Sequence, residues 1–186
     1  MKLTIVTPCS RPDNLPRMLP GIEAGGLSFD LDWRIVFDLS VCQPVDVPGA
    51  KLDAVSVEGS RFGNAQRNLA LDAIGDGWVY FLDDDNAIHP DFYRLLLAAM
   101  KAQPAKLAFA FDQELSIGHR HASPESMLVN CIDMAQVCIR RDLIGALRFQ
   151  LHPYNADGRF IEALHTHAPR AWGFIPATMA YYNHLR

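Results

Sequence analysis

The sequence predicts an α/β fold: a mostly parallel sheet flanked by helices, with a small mixed region in its second half. Three observations carry that prediction. Strand-like and helix-like patterns alternate as far as Phe111, which is the signature of helices covering a parallel sheet. Trp78-Val79-Tyr80-Phe81-Leu82 is an apolar run rich in aromatic and β-branched types, as a fully buried strand requires. Asp83-Asp84-Asp85-Asn86 follows at once, at the strand end where open α/β sheets gather their ligands.

In chain order, residues 2–7 form the first expected strand, ended by Pro8. Residues 12–22 read as a helix interrupted by Pro16 and closed near Gly25-Gly26. A second strand over 33–39 carries Asp38 near its end, and a connection through Pro44 and Pro48 leads to a short strand at 54–57. A helix over 63–74 precedes the acidic strand. Phe92, Leu95, Leu96, Ala99 and Met100 recur at helical spacing and predict an amphipathic helix over 90–102. A strand over 107–111 follows. The second half alternates less clearly, with a strand over 134–139, helices over 141–146 and 157–165, and extended patterning over 171–182. No repeat or linker interrupts the chain. The expectation is one domain over 1–186, nucleotide-facing over about 1–105 and acceptor-facing over about 106–186.

Composition narrows the class. The 186 residues suffice for one real core, and 49% hydrophobic with 20% charged residues is ordinary for a soluble globular chain. A net charge of -4 with scattered basic residues gives no electrostatic footprint for nucleic acid. No run approaches a membrane span, and the start of the chain lacks a signal-peptide pattern. Cys9, Cys42, Cys131 and Cys138 show no CxxC pairing, so free thiols in a cytoplasmic setting are expected.

The acidic run demands an explanation. Adjacent carboxylates repel, and an unpaired buried charge is costly, so three acids leaving a buried strand are expected to meet a cation. One Asp would serve as a turn or cap residue; three exceed that need. Oxygen ligands of this kind suit a divalent metal. Upstream, Gly59-Ser60-Arg61-Phe62-Gly63 opens a helix, and glycines there allow a ligand close to the backbone and to the helix amides. On that helix Ala65, Leu69 and Ala73 share one face, while Asn64, Arg67, Asn68 and Leu71 share another. An Arg flanked by amides suits a base or a diphosphate.

Together these segments resemble the GT-A glycosyltransferases, family 2 above all and locally the β-1,3-glucuronosyltransferases. The resemblance rests on Thr7-Pro8-Cys9-Ser10-Arg11-Pro12, on Gln66-Arg67-Asn68-Leu69-Ala70-Leu71, and on Val79 to Asn86, which matches their DxD motif. Ile132-Asp133-Met134-Ala135 is similar to a glucuronosyltransferase stretch. Asp157-Gly158-Arg159-Phe160-Ile161 looks like the segment of their catalytic carboxylate, although the acid there is Glu. The resemblance implies a UDP-sugar donor, a hydroxyl acceptor, inversion, and Mn2+ or Mg2+ as cofactor. By the same resemblance Thr7, Pro8 and Arg11 line the nucleotide pocket, Asp38 approaches the base, and Asn64 and Arg67 contact the nucleotide. Asp83 and Asp84 lie near base or ribose, Asp85 holds the metal, and Asp157 is the general base with Glu162 behind it. A late His touching metal or diphosphate is also implied, with His184 preferred over His165 and His167. The chain is short for such an enzyme, which implies a shallow acceptor site or one completed by another copy in a homo-oligomer.

Two other readings compete. A sugar nucleotidylyltransferase shares the layout but carries a Gly-rich basic loop after the first strand, and residues 7–12 contain no Gly. A non-catalytic nucleotide- or carbohydrate-binding module shares the fold but needs no base.

Overall fold

The computed structural model describes residues 1–57 and 62–186. Strand β1 (Lys2–Cys9) is buried from Leu3 onward, because it lies between two parallel neighbours, β2 (Asp30–Asp38) and β4 (Trp78–Phe81). β3 (Ala50–Val55) extends the parallel group beyond β2. Helices α1 (Leu15–Glu23) and α2 (Asn64–Ala73) make the crossovers that parallel strands require. The chain runs outward from β1 to β2 and β3, then returns to β4 on the other side of β1. That reversal opens a crevice at the carboxyl ends of β1 and β4, where ligands of such sheets sit.

Next come β5 (Ala87–Ile88), α3 (Phe92–Ala102), β6 (Ala108–Glu114), β7 (His119–Arg120), β8 (Val137–Arg140), α4 (Arg141–Ile144), α5 (Ala156–His167) and β9 (Trp172–Tyr181). Among the described residues the sheet has nine strands, in the order β3-β2-β1-β4-β8-β6-β9-β5 with β7 beside β6. Its longest ladders are parallel, including β6 with β9. The mixed region arises where β8 inserts antiparallel between β4 and β6.

Strand alternation sends side chains to two separate cores. Leu3, Ile5, Ile35, Phe37 and Tyr80 pack with α1 and α3 on one face. Val6, Val36, Val79 and Phe81 pack with α2 and α5 on the other. On α2 the fully buried pair is Ala70 and Leu71, whereas Ala73 is exposed, so the apolar face is rotated from the expected Ala65-Leu69-Ala73 line. Pro16 does not interrupt α1. It sits in the first turn, where its missing N–H breaks no helical bond, and a short 3-10 turn at Pro12–Asn14 leads in. Among the described residues no helix is long and apolar enough to cross a membrane.

Candidate active site

The crevice between β1 and β4 continues into a cleft of about 600 Å³ that reaches the start of α5. Its floor is the acidic run, and the three carboxylates have three different partners. Asp84 is buried and turned toward the loop after β1. It accepts the backbone N–H groups of Ser10 and Arg11, both at 2.6 Å, and the Arg11 guanidinium at 2.6 Å. Asp84 thereby ties the end of β4 to the end of β1, and its backbone carbonyl accepts from Asn14 at 2.9 Å.

Asp83 instead meets Arg67, which donates to it at 2.5 Å. The Arg67 side chain is almost wholly buried, and a buried guanidinium needs its donors satisfied. It also donates to the Phe62 carbonyl at 2.6 Å and to Asn64 Oδ1 at 3.3 Å, and lies over the Phe149 ring at 5.5 Å. The turn that aims these groups uses Gly63 at φ +75; a Cβ there would meet Pro8 at 2.7 Å, so glycine is needed for conformation and for space.

Asp85 accepts from Arg11 at 3.1 Å and from Arg186 Nε at 2.8 Å. Arg186 arrives there because the preceding residues are pinned across the acidic run. Asn183 N donates to Asn86 Oδ1 at 2.8 Å, and Leu185 N donates to the Asp85 carbonyl at 2.9 Å.

The far wall is built from the second half. Asp133 caps a 3-10 turn through the Ala135 N–H at 2.9 Å and stands 3.6 Å from Arg120. Asp157 lies in the first turn of α5, with Gly158 N donating to it at 2.7 Å. Burial pushes the Asp83 carboxyl up to about 6, against the pull of Arg67. Burial also raises Asp157, with Arg67 opposing and Asp83 adding. It raises Asp133 too, where the Asp157 charge adds to the effect. The three carboxyls thus act on one another across the cleft, with Arg67 opposing the rise at all three and Arg120 beside Asp133.

Of the expected site residues, Pro8, Arg11, Asp38, Asn64, Arg67, Asp83, Asp84, Asp85 and Asp157 all line the cleft. Thr7 does not. Strand alternation turns it inward, and its Oγ1 accepts the Trp33 indole N–H at 3.0 Å. Gly59, Ser60 and Arg61 lie outside the described residues. His184 also stays out of the cleft. It is exposed and stacks on Tyr181 at 5.0 Å, while its neighbours Asn183 and Arg186 turn inward. His165 and His167 lie in the last turn of α5, roughly 12–15 Å along the helix from Asp157 at 1.5 Å per residue. His165 packs edge-on against Trp172 instead. Glu162 is absent from the lining. Sequence reasoning missed Arg120, Asp133 and Arg186 as site residues. Of these Asp133 alone left a signal, through the Ile132-Asp133-Met134-Ala135 stretch of the resemblance; the structure shows it as the cap of a 3-10 turn, in a capping box with Gln136.

Among the described residues the lining carries six aspartates and four arginines, with no lysine or histidine. The aspartates outnumber the arginines by two, so the cleft keeps an acidic balance that suits a further cation. No group of three His, Cys, Asp or Glu among the described residues forms a complete metal cage. Asp83 and Asp85 nonetheless supply hard carboxylate oxygens, and Mg2+-type ions are held by one or two carboxylates together with substrate phosphates. Asp83 and Asp85 are of the chemical type that holds such an ion, each here paired with arginine.

No family model matches the sequence, and a search of curated proteins finds no match either. Solved structures do match. S. aureus TarS 1-349 superposes with a TM-score of 0.65 at 15% identity, covering 97% of this chain and 60% of that one. Its complex with UDP-GlcNAc gives a TM-score of 0.67, also at 15% identity, over 97% of this chain and 58% of that one. The mannosyltransferase PcManGT from Pyrobaculum calidifontis, in complex with GDP-Man and Mn2+, gives 0.62 at 15% identity over 95% and 54%. The chain shares their fold and spans little more than half of their length.

Proposed function

We propose that this chain is a glycosyltransferase moving a sugar from a nucleotide donor to an acceptor hydroxyl. The observation that carries the proposal is one cleft lined by Asp83 and Asp85 from the end of β4 and by Asp157 from the start of α5. The shared fold supports it, since structures of that fold hold UDP-GlcNAc and GDP-Man with Mn2+.

In this reading the half over about 1–105 holds the donor and the remainder holds the acceptor. Asp38, at the end of β2, faces the base, with Pro8 beneath it. Asp84 keeps the Ser10–Arg11 loop in place, and Arg67 and Asn64 set the position of Asp83. Asp85, with Asp83, would hold Mg2+ or Mn2+. A divalent ion bound there supplies Lewis-acid stabilisation of the leaving diphosphate, worth several kcal/mol. Arg11 lies close enough to share that negative charge.

Asp157 takes the proton of the acceptor hydroxyl as its oxygen bonds to the anomeric carbon and the bond to the diphosphate breaks. Attack opposite the leaving group inverts that carbon. A carboxyl raised above its usual range is a stronger base, and such catalysis contributes about 10²–10⁴-fold. UDP is the preferred nucleotide. The four free thiols suit a reducing cytoplasm.

Calorimetric titration with UDP and GDP, with and without Mn2+, tests the reading. Binding of one of them, strengthened by metal and lost in Asp85→Ala, is expected. Asp157→Asn should keep that binding and lose transfer. A protein that binds no nucleoside diphosphate refutes the proposal.

A further inference from the structure

Two aromatic side chains at the mouth of the cleft do nothing for the core. Phe62 is 50% exposed and Tyr154 is 74% exposed, yet their rings meet edge to face at 5.1 Å and both line the cleft. Single exposed hydrophobes are unremarkable; a contacting pair at a site is not. Phe62 also holds φ +62, a left-handed conformation rare for a bulky residue. The other non-glycine residues with positive φ, Asn130 and Asn183, are of the type that tolerates it. The strained backbone is held in place because the Phe62 carbonyl accepts from Arg67, the partner of Asp83. Backbone strain of this kind concentrates at ligand clamps.

The position of the pair decides what it serves. Asp38, Ser40 and Val41 mark the nucleoside end of the cleft, beyond the end of β2. Tyr154 stands three residues before Asp157, on the segment that leads into α5. Tyr154 and Asp157 line the same cleft, so a molecule resting on Tyr154 shares it with the proposed base. Each ring offers a flat, electron-rich face, the two planes standing at 86° to each other, and Asn130 and Asn155 also line the cleft as amide hydrogen-bonding groups. A pyranose ring matches that surface, with polarised C–H groups on one face and hydroxyls along its edge.

We infer that Phe62 and Tyr154 form an acceptor subsite that stacks on the apolar face of a pyranose, so that the acceptor is a cyclic sugar rather than an acyclic polyol. The inference rests on the glycosyltransferase reading above and on Asp157 as its base.

Saturation-transfer NMR on the full chain with UDP and Mg2+ tests it, with methyl β-D-glucopyranoside, methyl β-D-galactopyranoside and ribitol as probes. Phe62→Asn removes the ring and keeps a residue that accepts the left-handed backbone. Tyr154→Ala removes the other ring. At least one pyranoside should receive saturation on the C–H groups of one face, with ribitol silent. Both variants should weaken that binding about tenfold, the scale of one lost stacking contact. UDP affinity, read by calorimetry, should change less than about threefold, which also reports that the variants fold. A tenfold loss of UDP binding in the variants assigns the rings to the base and overturns the inference. Ribitol binding as well as the pyranosides, pyranoside signals unchanged in both variants, or no pyranoside binding at all also overturn it. If the unmodified protein fails to bind UDP or GDP, the underlying reading fails instead.

Discussion

Arg67 and Asp83 meet at 2.5 Å across the floor of the cleft with unequal burial, the arginine side chain 4% exposed and the aspartate 38%. The guanidinium is committed to the fold, while the carboxylate still faces the open cleft. Removing the arginine strands a poorly solvated carboxylate and leaves the Phe62 carbonyl without its donor. Breaking a fully buried pair costs about 3–5 kcal/mol; the solvent on Asp83 lowers the expected loss for Arg67→Met to about 2 kcal/mol. Urea unfolding measures it. Arg67→Lys should recover little, because an ammonium cannot reproduce the planar fork that serves Asp83, Phe62 and Asn64 together.

The raised Asp83 carboxyl gives stability a pH dependence of definite sign. Its folded value is about 6 and its ordinary value 3.8, so between these the folded state holds the proton more tightly than the unfolded state. Stability therefore falls as pH rises through that window and levels off above it. Asp133 and Asp157 are raised as well and act in the same sense. Solvent access at Asp83 holds its own share to about 1 kcal/mol. Unfolding midpoints from pH 4 to pH 7 should show the decline, with a shallower slope in Asp83→Asn. A midpoint that climbs over this interval contradicts the assignment.

With Asp157 as the proposed base, catalysis should carry the opposite slope, because a carboxyl accepts a proton only when ionised. Burial raises it, so the acid limb of kcat/KM lies above the ordinary carboxylate value of about 4. The charge on Asp83 contributes to that rise, and Asp83→Asn should move the limb downward in whatever residual activity it keeps. A limb that stays in place separates Asp83 from the base.

Much of this site could be read from the sequence because β4 and its acids are adjacent in the chain. Burial of Trp78–Phe81 and the carboxylates after it follow from residue type alone. Arg67 was legible as a residue of the cleft, but its near-complete burial was not, since that depends on Asp83, Phe62 and Phe149 arriving from elsewhere. An apolar stretch such as β8 carries no mark of direction, so its antiparallel insertion between β4 and β6 was invisible. β5 and β7, two residues each, are too short for any period to show. At the end of the described chain residue type favoured His184, whereas the turn through Asn183 at φ +51 brings Arg186 inward. Side-chain chemistry was readable there; the local backbone that aims it was not.

Asp84 is expected to matter for folding more than for chemistry. Its buried carboxylate accepts two backbone N–H groups and the Arg11 guanidinium, and charge-assisted bonds of this kind are the strong ones. Asp84→Ala leaves the Ser10 and Arg11 amides without their acceptor and frees the loop after β1. A loss of about 2–3 kcal/mol follows from one buried charged acceptor removed from its donors. Thermal unfolding should register that loss, together with weaker UDP binding. Asp85→Ala, whose partners are more exposed, should unfold closer to the unmodified protein while losing the metal effect on UDP. Equal stability of the two variants would remove the distinction drawn between neighbouring acids.

Arg186 sets the last test, because it occupies the side of Asp85 where a metal would bind. Its Nε lies 2.8 Å from Asp85 Oδ2, and its side chain is 56% exposed. An ion pair so open to water contributes at most about 1 kcal/mol, so a divalent ion completed by phosphate oxygens can displace it. Arg186→Gln removes the nearer of the two guanidiniums on Asp85 Oδ2, leaving Arg11, and should lower the Mg2+ concentration that half-saturates UDP binding by about two- to fivefold. If the guanidinium instead moves onto the diphosphate when donor binds, the same variant weakens UDP binding even at saturating Mg2+. Titrating UDP at low and at saturating Mg2+ separates these roles, and no change under either condition means Arg186 only covers Asp85.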